Sequence, residues 1–234
     1  VDVATAMGAN NLAELRAIPA EELLAKSQAA RFRTDGVVDG WVLPDQMYTI
    51  YAEGKQHRTP VMVGFNRDEG TTLGALSRVP ENDDVYIANA SRTYGELSDE
   101  FLAVYPPNNL RRATLDSNRD RGFGWNMLTW ARMMKNVDQE AYLYFFTYAP
   151  SGPQQEELGA YHAAEISYAF GNADKLRNGA TPADNQVAET MSNYWVQFAK
   201  TGNPNVSGQP EWQAYTREDP HYIVLDENAE PAHD

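Results

Sequence analysis

One run, Pro60-Val-Met-Val-Gly-Phe-Asn-Arg-Asp-Glu-Gly70, limits what this chain can fold into. Residues 61–65 are apolar without polar alternation, and two of them are β-branched. That is the pattern of a strand buried on both faces, as in the interior of a mostly parallel sheet. The run then breaks into a polar turn, Asn66-Arg67-Asp68-Glu69-Gly70. Two carboxylates therefore stand at the C-terminal end of a buried strand, where open α/β sheets collect ligands and catalytic groups. Glu69 is a candidate catalytic acid, with Asp68 its near competitor.

A second buried-type strand follows at residues 141–148, eight residues of which five are aromatic, stopped by Ala149-Pro-Ser-Gly-Pro153. A third, shorter strand is read at residues 222–226. Between the first two, the spacing predicts helix over residues 97–105, ended by Pro106-Pro107, and over most of residues 111–137. Residues 71–76 open a helix or a loop. After the second strand, residues 181–200 repeat Val187, Met191, Tyr194, Trp195 and Phe198 at helical spacing and end in Thr201-Gly-Asn-Pro204. Upstream, residues 10–30 read as two helices interrupted by Pro19, residues 32–43 as turn and loop around Asp35-Gly36 and Asp39-Gly40, and residues 47–54 as a short helix stopped by Gly54. Strands separated by long helical stretches indicate α/β architecture. The aromatic and Met-rich faces around Trp125, Leu128, Trp130, Met133 and Met134 read first as core packing, with a pocket wall as the alternative.

Composition removes several function classes. With 19 basic against 33 acidic residues the formal net charge is −14, the wrong sign for a phosphate-backbone binder. There is no cysteine, hence no disulfide, thiol nucleophile or Cys-based zinc site. No run approaches the roughly 20 apolar residues of a membrane span. There is no phosphate-binding loop, no Gly-x-Gly-x-x-Gly after a strand and no metal-ligand spacing, so no cofactor or metal is expected. The acidic pairs Asp83-Asp84 and Glu156-Glu157 read as solvated faces. The start at Val1, which is not a Met, reads as a processed or truncated end.

Of the four histidines, His57 and His233 fall in polar surroundings and His221 in a turn after Asp219-Pro220. His162 lies in the loop after the aromatic strand, at the same end of a parallel sheet as Glu69. A catalytic histidine needs a carboxylate on one ring nitrogen to fix its tautomer, which leaves the other nitrogen to act as base. His162 with Glu69 meets that requirement in principle. A nucleophile is missing: no Gly-x-Ser-x-Gly exists, and Gly70-Thr-Thr-Leu-Gly74 has threonine at its centre and overlaps the acid turn.

Four segments, in order, resemble the type-B carboxylesterase and cholinesterase family of α/β-hydrolases. They are Val38-Asp-Gly-Trp-Val-Leu-Pro-Asp45, the run at residues 59–70, Gly159-Ala-Tyr-His-Ala-Ala-Glu-Ile-Ser-Tyr-Ala-Phe-Gly171, and Asn193-Tyr-Trp-Val-Gln-Phe-Ala-Lys-Thr-Gly-Asn-Pro204 with Trp212 and Tyr215 after it. The likeness runs from about residue 10 to residue 226. It implies the C-terminal part of an α/β-hydrolase domain over residues 1–234, with a mostly parallel central sheet flanked by helices. It implies Glu69 as triad acid and His162 as triad base. It implies that the serine, in a Gly-Glu-Ser-Ala-Gly elbow, and the oxyanion hole belong to an N-terminal half, which is then the partner of this chain. A small-molecule carboxylic ester is the implied substrate, and this chain alone is expected to be inactive. By the same resemblance, aromatics near residues 125–130 and 145–148 line the pocket. The lack of cysteine departs from the disulfide-bearing animal members and suits a bacterial one, leaving the compartment open. A non-catalytic, cholinesterase-like binding or adhesion domain is the other reading, against which the retention of Glu69 and His162 counts.

Overall fold

The computed structural model describes residues 3–32, 36–176 and 179–233. The turn expected at Asp35-Gly36 falls partly outside them, at Asp35. The chain divides into two compact units, Val1–Ile50 and Tyr51–Asp234.

The first unit carries α1 (Val3–Ala6), α2 (Leu12–Ala17) and α3 (Ala20–Ala29). Asn11 caps α2 by accepting the Glu14 N–H at 2.9 Å, which satisfies one of the free donors of a helix start. Pro19 stands immediately before α3, where it needs no N–H partner. Lys26 ties the two ends of this unit's helical part together, donating to the Met7 carbonyl at 3.0 Å. In the loop that follows, the Asp39 carboxylate accepts the N–H groups of Trp41, Val42 and Leu43. The short helix α4 (Met47–Ala52) comes next, as its sequence predicts.

The second unit is built on a four-stranded sheet in the order β1 (Val61–Asn66), β2 (Ala141–Phe146), β3 (His221–Leu225), β4 (Ala229–His233). The first three strands are parallel and β4 returns antiparallel to β3, so the mostly parallel α/β sheet read from the sequence is present. Between β1 and β2 run the 3₁₀ turn Glu69–Thr71, then α5 (Asp83–Tyr94), α6 (Ser98–Val104), α7 (Leu110–Arg119), a π-helical turn at Asp120–Gly124 and α8 (Trp125–Met133). Between β2 and β3 run α9 (Gln155–Leu158), α10 (Ile166–Ala169) and α11 (Pro182–Thr201). Among the described residues no helix is long and apolar enough to cross a membrane.

Both faces of the sheet are covered, which explains why β1 and β2 lack polar alternation. On one face Tyr142 and Phe146 of β2 pack with Tyr168 of α10, Val187, Met191 and Tyr194 of α11, and Trp212. On the other, Val63 and Leu143 pack with Ala131 of α8 and with Met134 and Val137 in the turn after it. Trp212 is fully buried and donates its indole N–H to the Leu143 carbonyl at 3.1 Å, so its one polar atom is satisfied inside the core. β1 and β2 lie in register with Gly64 beside Tyr144. A Cβ at position 64 would overlap the Tyr144 ring, so glycine there is what lets the aromatic strand approach.

Candidate active site

β1 ends at Asn66, and the chain turns at once into the 3₁₀ turn that carries Glu69. β2 ends at Phe146; its continuation passes through α9 and returns to the end of β1, where Asp68 and Tyr161 form an isolated parallel bridge. The parallel sheet thus brings the two loops together at one end, and they are laced along their length. Thr71 Oγ1 bonds the carbonyls of Asp68 and Leu158, each at 2.9 Å. The Asp68 N–H donates to the Ala160 carbonyl at 3.0 Å, and the Ala160 N–H donates to the Asp68 carboxylate at 2.9 Å. The Asn66 amide donates to the Tyr161 carbonyl at 2.8 Å and to Glu165 at 2.5 Å.

His162 follows directly on this lacing. Its Nδ1 lies 2.6 Å from Glu69 Oε2, while Glu69 Oε1 accepts the Asn66 N–H at 2.9 Å. The Glu69 side chain is almost fully buried, at 5%, whereas His162 is 44% exposed. The carboxylate is therefore fixed inside the protein and the imidazole reaches out of it, with Nε2 as the outer nitrogen. Phe123, in the π-helical turn, sets its ring 5.3 Å from the imidazole. Such π turns recur at functional sites because they re-aim one side chain out of a regular helix. Ala163, the residue after His162, has φ +69°, a left-handed conformation that an L side chain adopts at a cost of about 1 kcal/mol. Local strain of this kind collects at sites where geometry is held by the surroundings.

The two adjacent carboxylates have opposite electrostatics. Burial pushes the Glu69 carboxyl above the usual glutamate range; the Asn66 N–H and His162 oppose this, and the nearby Glu165 charge adds to it. Burial also acts to raise Asp68, but hydrogen bonds from Arg112, the Ala160 N–H and Arg67 outweigh it and hold the group below the usual range. Asp68 is occupied by these donors, and the histidine sits on Glu69. The imidazole thus contacts Glu69, and the Asp68 carboxylate faces Arg112 instead.

The remaining sequence candidates divide. His57 is exposed. His221, expected in a turn, opens β3 instead; its Nε2 lies 2.8 Å from Asp219. His233, expected in a polar tail, lies in β4 in register with His221 and is exposed. Of the aromatics expected to line a pocket, Trp125 and Phe145 do line a cavity of about 550 Å³, with Phe65, Leu128, Tyr144 and Tyr222. Trp130 packs instead on Tyr51, and Phe146 and Tyr148 are buried in the core against Tyr168. The cavity includes Gly124, next in sequence to Phe123. A larger cavity, about 650 Å³, lies behind the lacing around Arg67, Arg112 and Gly159 and contains neither Glu69 nor His162. Asn66, Thr71, Arg112, Phe123 and Glu165 were not legible as site residues. Only Gly159, a lone glycine shortly before the histidine, offered a signal.

The chain is 28% identical to carboxylesterase 5A of Canis lupus familiaris over 92% of its length and 40% of that protein. It is 26% identical to the para-nitrobenzyl esterase of Bacillus subtilis over 92% of its length and 46% of that protein. It superposes on the crystal structure of a Geobacillus stearothermophilus carboxylesterase with a TM-score of 0.80 at 25% identity, covering 99% of this chain and 51% of the other. The chain thus spans about half the length of the relatives it matches. The family model described as "Carboxylesterase family" matches residues 3–234, and with the α/β sheet and the paired loops at its end in place, the chain belongs to the carboxylesterase family.

Proposed function

We propose that this chain supplies the acid and the base of a Ser-His-Glu triad that hydrolyses carboxylic esters. In this reading residues 1–234 are the C-terminal portion of one α/β-hydrolase domain, and an N-terminal half of the same enzyme contributes the serine and the oxyanion hole. The observation that carries it is the 2.6 Å contact between His162 Nδ1 and the buried Glu69 carboxylate, beside a half-exposed imidazole. Membership of the carboxylesterase family supports ester hydrolysis as the reaction type. No observation favours a binding or adhesion domain.

The roles follow from the chemistry. Glu69 holds the Nδ1–H tautomer and stabilises the imidazolium when it forms. Nε2 takes the serine proton as the hydroxyl attacks the ester carbonyl, and returns it to the leaving alcohol as the tetrahedral intermediate collapses. Water then repeats the sequence on the acyl-enzyme, with His162 as base again. Backbone N–H donors of the other half stabilise the oxyanion, a contribution of about 10²–10³ in rate per donor in comparable sites.

A p-nitrophenyl carboxylic ester, whose hydrolysis releases coloured nitrophenol, is a suitable first probe. This chain alone is expected to release no nitrophenol above the buffer rate, and the chain combined with its N-terminal half is expected to turn over. Catalytic turnover by residues 1–234 alone would contradict the division of the triad.

A further inference from the structure

We propose that Asp68 and Arg112 form a clamp that positions His162 for proton transfer, a role that rests on the triad reading above. Neither residue touches the imidazole. Asp68 is joined to the histidine loop by two backbone bonds at Ala160, one to its own N–H and one to its carboxylate. The carboxylate is in turn held from α7, where Arg112 Nη1 meets Asp68 Oδ1 at 2.5 Å and Nη2 meets the Arg67 carbonyl at 3.1 Å. Asp116, one turn further along α7, fixes the same guanidinium through Nε at 2.8 Å and Nη2 at 2.6 Å. Arg67 Nε adds a third donor to Asp68 at 3.0 Å.

The loop is shaped to receive this carboxylate. Gly159 has φ +60°, and a Cβ there would overlap the Asp68 carboxyl group. Only glycine combines that backbone conformation with that proximity. The Asp68 side chain is 7% exposed, and a buried carboxylate persists only where donors satisfy it. Three groups, one from each of three segments (α7, the acid turn and the histidine loop), therefore converge on one carboxylate, and the loop's donor is Ala160, two positions before His162. The guanidinium fork suits this task because it binds two acceptors in fixed geometry, which an ammonium does not. Releasing the clamp removes the carboxylate's hold on the Ala160 N–H and leaves the loop to its backbone bond with Asp68 and the Asn66–Tyr161 contact, so the imidazole's aim toward the serine loosens while Glu69 remains in place. A displacement of about 1 Å at a reacting group is enough to cost about a hundredfold in rate.

The test uses the assembled enzyme, this chain with its N-terminal half, and reads kcat and KM on a p-nitrophenyl ester together with the deshielded proton resonance of the His162–Glu69 hydrogen bond. D68N and R112Q are expected to lower kcat by about 10- to 100-fold with KM little changed, and to broaden or shift that resonance below the unfolding temperature. R112K, which keeps the cation but not the fork, is expected to fall between R112Q and wild type; it also serves if D68N does not fold. Unchanged kcat and resonance in folded D68N or R112Q would overturn the clamp. A greater loss in D68N than in E69Q would overturn it differently, by making Asp68 the acid. If H162A retains turnover, the triad reading itself fails, and the resonance alone then decides whether the clamp sets the histidine's geometry.

Discussion

Glu69 and Asp68 are neighbours with the same functional group, yet the fold treats them oppositely. Asp68 is charge-matched by Arg112 and Arg67, whereas Glu69 is buried beside one histidine and near a second carboxylate, Glu165. A raised folded-state pKa means that the fold favours the protonated acid. The ionised Glu69 therefore lowers stability as pH rises through the glutamate range, from about 4 upward to its shifted value. E69Q is accordingly predicted to melt no lower than wild type near neutral pH, and higher if the shift is the dominant effect, with the difference vanishing below about pH 4. Differential scanning calorimetry of both forms across pH checks it, and a marked drop in Tm at neutral pH would contradict the assignment. A163G should raise stability by about 0.5–1 kcal/mol, because glycine accepts φ +69° without the Cβ conflict; chemical denaturation measures it directly. The pairing of Glu69 with His162 was legible because a strand end and a loop histidine are visible in sequence. The clamp was not, since Arg112 comes from a helix and lies 44 positions after Asp68, and nothing local marks it.

Helix α11 shows how far element-scale reading reaches. Its apolar stripe and its Gly202 stop are explicit in the sequence, and the structure adds a capping box in which Thr181 accepts the Asp184 N–H and Asp184 accepts from Thr181. Asp184 does more than cap: it is fully buried and also receives the hydroxyls of Tyr168 at 2.7 Å and Tyr148 at 3.2 Å. Burial acts to raise its carboxyl, but the hydrogen bonds from Thr181, then those from Tyr168 and Ser151, outweigh it and hold the group far below the usual aspartate range. Its folded pKa is depressed, so its contribution is present above the unfolded value near 4 and is lost as pH falls through that range and below. D184N is predicted to lower Tm at neutral pH, with the gap to wild type closing in acid; T181A should cost about 1 kcal/mol. Thermal melts of the variants across pH 2–7, roughly the span over which an aspartate titrates in folded proteins, check both. Other elements were harder to see. β4 contains Pro231, which argues against a central strand but is tolerated on an edge, and β4 is the edge. α5 was missed because Val85 and Ile87 on its exposed side blur the apolar stripe. Its start was signalled only by Asn82 and the two aspartates after it. The helical reading of residues 111–137 held as a whole, but the π turn within it, with Arg119 over the Phe145 ring at 5.2 Å, has no periodic signature.

At the scale of the whole molecule, the sheet of the second unit is bounded by β1, whose outer edge pairs with no other described strand. A parallel-sheet strand with an open edge is a template for further pairing. In the reading proposed here that edge, and exposed apolar groups such as Trp125 and Val104 beside the cavity, are met by the N-terminal half. Residues 1–234 alone are therefore predicted to self-associate or melt broadly. Addition of the other half should give one cooperative transition at higher temperature, since a partner that binds only the folded state stabilises it by mass action. Sedimentation and calorimetry of the chain with and without the half test this, and a monodisperse, cooperatively folded monomer of this chain alone would count against it. The central claim is that His162 is the base of an ester hydrolase. Its most direct measurement is kcat for a p-nitrophenyl ester by the assembled protein with H162A, alongside circular dichroism of the same sample. The account predicts a loss of about 10²–10⁴ with an unchanged spectrum; turnover near the wild-type rate in the folded variant would contradict it.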